Sequence, residues 1–139
     1  MNKDQIQESI IEEFSIFDEW LDKYDYLISL SESLPMIDAS KRTEKHLIDG
    51  CQSRVWVDSE LRDGKVYDSA DSDAIITKGI IALLVRVMNG RPAAEVAHLD
   101  LYFIDAIGLG ENLSPTRSNG LRAMISRMKL EALLYSQQQ

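Results

Sequence analysis

Residues 54–88 carry two patterns back to back that leave the chain few choices of fold. From Arg54 the period is two: Val55, Val57, Ser59 and Leu61 point one way, while Arg54, Trp56, Asp58, Glu60 and Arg62 point the other. That alternation is the signature of a strand with one buried face. Asp63-Gly64 follows, a pair favoured in two-residue hairpin turns because both central positions take positive φ, and residues 65 to about 69 return as the partner strand. Residues 74–88 are then apolar around most of a helical circumference, with Asp71, Ser72 and Asp73 offering N-caps and Asn89-Gly90 a C-cap. A helix with almost no polar face has to be covered on all sides. An antiparallel hairpin beside a central buried helix is therefore the expected heart of the fold.

The flanking segments supply the cover. Ile6, Ile10 and Phe14 recur every four residues with Glu8, Glu12 and Glu13 elsewhere on the wheel, an amphipathic helix for which Asp4 is the candidate N-cap. A second helix is expected over residues 18–30, with Trp20, Tyr24, Leu27 and Ile28 on one face and Pro35 beyond its end. Between Met36 and Gly50 the pattern weakens, leaving room for one helical turn over residues 43–48. Pro92 suits the first turn of a helix reaching about His98, and Asp100 can cap a short one over residues 101–107 that Gly108 stops. The last helix is expected over residues 118–135, with Leu121, Met124, Ile125, Met128, Ala132 and Tyr135 on one stripe. With no repeat or linker, and 45% hydrophobic residues, the 139 residues suit one domain over residues 1–139. Its class is α+β, a small antiparallel sheet covered by helices.

Charge and cysteine content exclude several functions. Twenty-three acids against fifteen Lys and Arg give a net charge of −8, concentrated in residues 1–50, and no basic run could neutralise a phosphate backbone. Nucleic acid is not an expected partner. The longest apolar run, residues 80–85, falls far short of the roughly 20 needed to span a bilayer. The first residues pass straight into the acidic amphipathic pattern without the apolar core of a signal peptide, so no membrane contact and a cytoplasmic setting are expected. A single cysteine, Cys51, allows no intramolecular disulfide, and with only His46 and His98 beside it no structural zinc site can be assembled.

Cys51 sits between Gly50 and Gln52-Ser53, on a loop that feeds directly into the first strand. A lone cysteine serves either as a small buried hydrophobe or as a nucleophile. The small polar neighbours make a poor core environment, and Gly50 lets the backbone move or approach closely. His46 and His98 are the only candidate bases for a Cys-His hydrolase, and His46, on a short turn five residues upstream, reads as a surface residue, so a protease is discounted. Arg117 lies at or just before the start of the last helix, where the macrodipole disfavours a cation. Either it is simply exposed or it faces an anion, and a thiolate is such an anion. Asp71 and Asp73 read first as helix caps, and Trp20 and Trp56 as packing aromatics.

Four segments together resemble the SufE family of sulfur-acceptor proteins of iron-sulfur cluster assembly. They are Leu34-Pro35; Gly50-Cys51-Gln52-Ser53 with Val55-Trp56; Asp71-Ser72-Asp73-Ala74 with Ile76, Lys78 and Gly79; and Ser114-Pro115 with Arg117-Ser118 and Gly120-Leu121. The related CsdE branch usually reads Gly-Cys-Glu-Asn at the cysteine, so Gln52-Ser53 favours SufE proper, and Ala70 stands where the family commonly has glycine. The resemblance implies a fold shared with IscU-type scaffolds, about three antiparallel strands packed against helices. It further implies that Cys51 takes sulfane sulfur from the persulfide of a SufS-type cysteine desulfurase, stimulates that enzyme, and passes sulfur to a SufB-containing scaffold complex. Pyridoxal phosphate would belong to the desulfurase, and this chain would hold no cofactor. The rival reading is a non-covalent adaptor that alters desulfurase turnover while Cys51 only packs.

A persulfide has to be kept from solvent yet delivered to a partner, so Gly50 and the weakly patterned stretch before it suggest a loop that tucks the sulfur in at rest and swings out on docking. Asp73 would support that loop by capping the central helix. Cys51 and Arg117 are thus the candidate reactive pair, with Gly50, Gln52, Ser53 and Asp73 as loop support or partner contacts.

Overall fold

The computed structural model describes residues 2–51 and 53–138. Helix α1 (Lys3–Ser15) starts one residue before the expected cap: Asn2 Oδ1 accepts from Gln5 N at 2.8 Å and Gln5 Oε1 from Asn2 N at 2.9 Å, a reciprocal capping box. Asp4 therefore lies inside the first turn and caps nothing. Buried Gln7 joins α1 to a distant loop, its amide donating to the Asp100 carbonyl at 3.0 Å and its oxygen accepting from Phe103 N at 3.2 Å. Helix α2 (Trp20–Leu30) follows.

Strands β1 (Val55–Arg62) and β2 (Lys65–Ser72) pair antiparallel from Val55 opposite Ser72 to Arg62 opposite Lys65, about an Asp63-Gly64 turn with φ of 54° and 77°. Both turn residues take the positive φ that the sequence pattern required. Strand β2 runs three residues beyond the expected end, which withdraws Asp71 and Ser72 from capping. Helix α3 (Ile75–Met88) has Ala74 at its N-cap with no side-chain bond. Asp73 is no cap either: its Oδ1 accepts from Arg54 N at 3.1 Å, while its own amide donates to Arg54 O at 3.2 Å. The hairpin ladder thus continues one rung past the strands and claims the residues that a helix cap would have used.

Every residue of α3 is buried except Ile75, Thr77, Lys78 and Arg86. Gly79 lets α2 close on it, since a Cβ there would stand 2.0 Å from the Leu27 carbonyl oxygen. Strand β3 (Arg91–Pro92) is only two residues long and adds to β2 opposite Lys65 and Val66, completing a three-stranded antiparallel sheet in the order β1-β2-β3. Helices α4 (Ala93–Ala97), α5 (Phe103–Ala106) and α6 (Leu109–Asn112) are short. Tyr102, not Asp100, holds the N-cap position of α5. Helix α7 (Pro115–Gln137) begins three residues earlier than its apolar stripe suggested, because Ser114 Oγ accepts from Arg117 N at 3.3 Å and Pro115 fits the first turn. Among the described residues no helix is long and apolar enough to cross a membrane.

One carboxyl lies on the buried face of the sheet. Asp68 is 2% exposed; Ser59 Oγ donates to its Oδ1, while Oδ2 has no partner among the described residues. Burial pushes its pKa up to about 6 against the Ser59 hydrogen bond, with the carboxylates of Glu131 on α7 and Asp58 on β1 pushing the same way. Close by, Tyr135 donates to the Ser59 carbonyl at 2.6 Å and fastens the end of α7 to the sheet.

The candidate functional site: the Cys51 cleft

Residues 46–48 form no helix. After a turn over residues 43–47 they run antiparallel along the free edge of β1, with Ile48 N donating to Val55 O at 2.9 Å and Val57 N to His46 O at 3.0 Å. Cys51 therefore lies at the bend of an irregular hairpin between that edge segment and β1. Gly50 turns the chain with φ +91°, a conformation that side chains other than glycine's rarely adopt. The bend rests on α7: Cys51 Sγ donates to the Gly120 carbonyl at 3.5 Å, and a Cβ on Gly50 would meet that of Ala123 at 3.3 Å.

The thiol opens into a cleft of about 80 Å³. Val55, Ile80, Leu121 and Met124 supply its apolar walls, and Ser53, Thr77, Thr116 and Arg117 its polar ones. A space of that size is enough for one or two further atoms beside the sulfur. Burial raises the thiol pKa, and among the described residues no other group shifts it.

Arg117 lines the cleft, one helical turn ahead of the Gly120 that receives the thiol, yet its charge is engaged elsewhere. Its Nη1 donates to the Tyr24 hydroxyl at 2.9 Å, with the guanidinium carbon 5.9 Å from the Tyr24 ring centre. Ser53 lines the cleft. Gly50 forms the bend, and Asp73, exposed on the surface, holds Arg54, three residues beyond Cys51. Gln52 lies outside the described residues. Neither histidine lines the cleft: His46 Nε2 approaches Asp58 Oδ1 at 3.3 Å, and His98 is exposed at the end of α4.

Three contributors escaped the sequence reading. Thr77 and Thr116 bring hydroxyls to the cleft walls, and Tyr24 was placed only on the packing face of its helix. A threonine interrupting the apolar run of α3 was the one available signal. Asp71, read as a cap, instead has a side chain only 5% exposed, paired with Lys78 Nζ at 3.0 Å and Arg42 Nη2 at 2.7 Å. Burial alone would raise its pKa, but Lys78, the Ser72 amide and Arg42 outweigh it and hold the carboxyl below its ordinary value. Arg42 also lies over the Trp56 ring, 4.8 Å from its centre, and so ties the segment leading to Cys51 onto the sheet.

Among the described residues, a sheet of three strands under seven helices, with the chain's one thiol bent onto the longest helix, describes a small α+β protein organised around a single cysteine. Known proteins resemble it in sequence and in fold. Residues 8–132 match the SufE family, described as an Fe-S metabolism associated domain. The chain belongs to the SufE family. It is 40% identical to an uncharacterized SufE-like protein of Rhizobium etli over 90% of this chain and 88% of that one. The SufE-like protein 1, chloroplastic/mitochondrial, of Arabidopsis thaliana is 36% identical over 91% of this chain, which spans 34% of that longer protein. The solution structure of a hypothetical protein from Thermus thermophilus shares the fold, with a TM-score of 0.78, 95% of this chain and 96% of that one covered, and 21% identity. Family membership places the protein in iron-sulfur metabolism and bears out the α+β architecture expected from the resemblance.

Proposed function

We propose that this protein is a sulfur acceptor: it takes persulfide sulfur from a SufS-type cysteine desulfurase onto Cys51, stimulates that enzyme and delivers the sulfur to a SufB-containing scaffold complex in the cytoplasm. The observation that carries this reading is the seat of the chain's one thiol, at a bend on the edge of β1, facing a cleft with room for one more sulfur atom. Cys51 first loses its proton to solvent. Its thiolate then attacks the outer sulfur of the partner's Cys-S-SH group; a sulfur-sulfur bond forms on Cys51, the partner's bond breaks, and the partner cysteine leaves as a thiolate and regains a proton. No net oxidation occurs, so this chain needs no redox cofactor for the step, and pyridoxal phosphate stays with the desulfurase.

Arg117 would offset negative charge on the sulfur during the exchange. Gly50, Gln52 and Ser53 would carry the bend into the partner's site, while Asp73 keeps its base attached to β1. In the free protein the raised thiol pKa keeps the thiolate scarce, consistent with a group meant to react only when docked.

Incubation with a SufS-type desulfurase and cysteine, followed by intact mass spectrometry, tests the proposal. One sulfur is expected on Cys51, removable by reductant and absent from Cys51→Ser. An unchanged mass together with full stimulation of the desulfurase would refute sulfur acceptance and leave the non-covalent adaptor.

A further inference from the structure

Arg117 has the position to serve the sulfur but is occupied elsewhere. It precedes Gly120 by three residues, so the two share one face of α7, and the Gly120 carbonyl is where the thiol now rests. Arg117 is exposed, so nothing packed around it blocks a swing along that face. Its guanidinium nevertheless donates to the Tyr24 hydroxyl at 2.9 Å and stands 5.9 Å from the ring centre. Tyr24 is a fixed post, because α2 is seated on α3 by the close approach of the Leu27 carbonyl to Gly79.

We propose that Tyr24 is a positioning residue that parks Arg117 away from Cys51 in the free protein and gives it up when negative sulfur appears in the cleft. The inference deepens the sulfur-acceptor reading and takes its purpose from it. The preference follows from charge. A protonated thiol is neutral and gives a guanidinium little to bind, whereas the phenol oxygen accepts a hydrogen bond and the ring presents its negative face. Once the sulfur carries a charge, a charge-assisted contact across the cleft outweighs the neutral one. Release leaves no buried orphan, since Tyr24 is only half-buried and water can replace the lost donor. Parking and burial act together, keeping the resting thiol protonated.

Tyr24→Phe keeps the ring and removes the oxygen that holds Arg117. The experiment measures iodoacetamide alkylation of Cys51 against pH in the free protein for the wild type, Tyr24→Phe, Arg117→Ala and the double variant. With no phenol oxygen to leave, the guanidinium reaches the thiolate without losing that hydrogen bond, which lowers the thiol pKa by about one unit relative to the wild type. The thiolate fraction below the pKa rises about tenfold, while the less basic thiolate is a weaker nucleophile, so alkylation there should accelerate about threefold. Adding Arg117→Ala should return both pKa and rate to those of Arg117→Ala alone. An unshifted pKa in Tyr24→Phe overturns the proposal, as does a shift that survives in the double variant, which would trace it to altered packing. Sulfur loading of Tyr24→Phe by the desulfurase, read by intact mass, separates the two ideas. A shifted pKa with no sulfur gained keeps Tyr24 as the post and removes the acceptor reading.

Discussion

Asp68→Asn should remove a pH-dependent destabilisation, and its size follows from the burial of that carboxyl. The native pKa is raised from an ordinary 3.8 to about 6, on a side chain 2% exposed. Between those values the unfolded chain has released the proton and the native protein retains it. Unfolding stability therefore falls by about 1.4 kcal/mol per pH unit there. The stabilising contribution of the protonated form is complete below the unfolded pKa and lost as pH rises through about 6, a total of about 3 kcal/mol. Asparagine keeps the oxygen that accepts from Ser59 and puts a neutral amide where Oδ2 now stands unpartnered. Urea unfolding of both proteins at pH 4 and pH 8 supplies the measurement. Any fixed effect of the substitution cancels in the difference between the two pH values, and because about 0.6 kcal/mol is already lost at pH 4, the variant should gain about 2.4 kcal/mol on the wild type at the higher pH. Groups with lowered pKa, such as Glu13 and Asp71, bend both profiles alike and drop out. A stability difference that stays constant from pH 4 to pH 8 would show that Asp68 ionises as freely in the native protein as in the unfolded chain.

Gly79→Ala forces a Cβ into the Leu27 carbonyl, 2.0 Å away in the unaltered structure. The overpacking, about 1–3 kcal/mol or more, should outweigh the roughly 1 kcal/mol that alanine gains in a helix and lower the thermal midpoint; an unchanged or higher midpoint would contradict the close approach. Asp73→Arg removes the acceptor of the Arg54 amide and sets a second cation beside it, loosening the base of the Cys51 bend. A loss of about 1 kcal/mol there corresponds to about fivefold more frequent opening and fivefold faster iodoacetamide labelling of the free protein; an unchanged rate would detach Asp73 from the loop.

What could be read from the sequence was what is decided locally. The hairpin and the central helix follow from side-chain periodicity and one turn dipeptide, and both stand where residues 54–88 placed them. The caps went astray where distant elements competed. Asp71 is drawn off by Arg42 and Lys78, and Asp73 by Arg54, and no local pattern announces such partners. Strand β3 is too short for any period to reveal. The start of α7 was available in principle, since serine followed by proline is a recognised helix opening, but the apolar stripe drew the boundary inward. At the site, residue identity marked Cys51 and Arg117 as worth attention. The hold of Tyr24 on Arg117 spans 93 residues of sequence and emerges only when α2 and α7 are set side by side.

The surface of α7 beneath the cysteine bend is nearly smooth. It offers Gly120 and Ala123 there, one turn apart, with at most a methyl group between the loop and the helix backbone. Helices normally lock neighbours in place by meshing ridges with grooves, and a loop gripped in that way has to unthread side chains before it can move. Here the bend lies as a shoe lies on a polished rail. Among the described residues the Cys51 side chain makes one hydrogen bond, the weak one to the Gly120 carbonyl, while Arg127 of α7 holds the segment before the bend through the Lys45 and Leu47 carbonyls. On the sulfur-acceptor reading proposed above, so light a seat would let the cysteine leave α7 without unthreading a side chain when a partner docks.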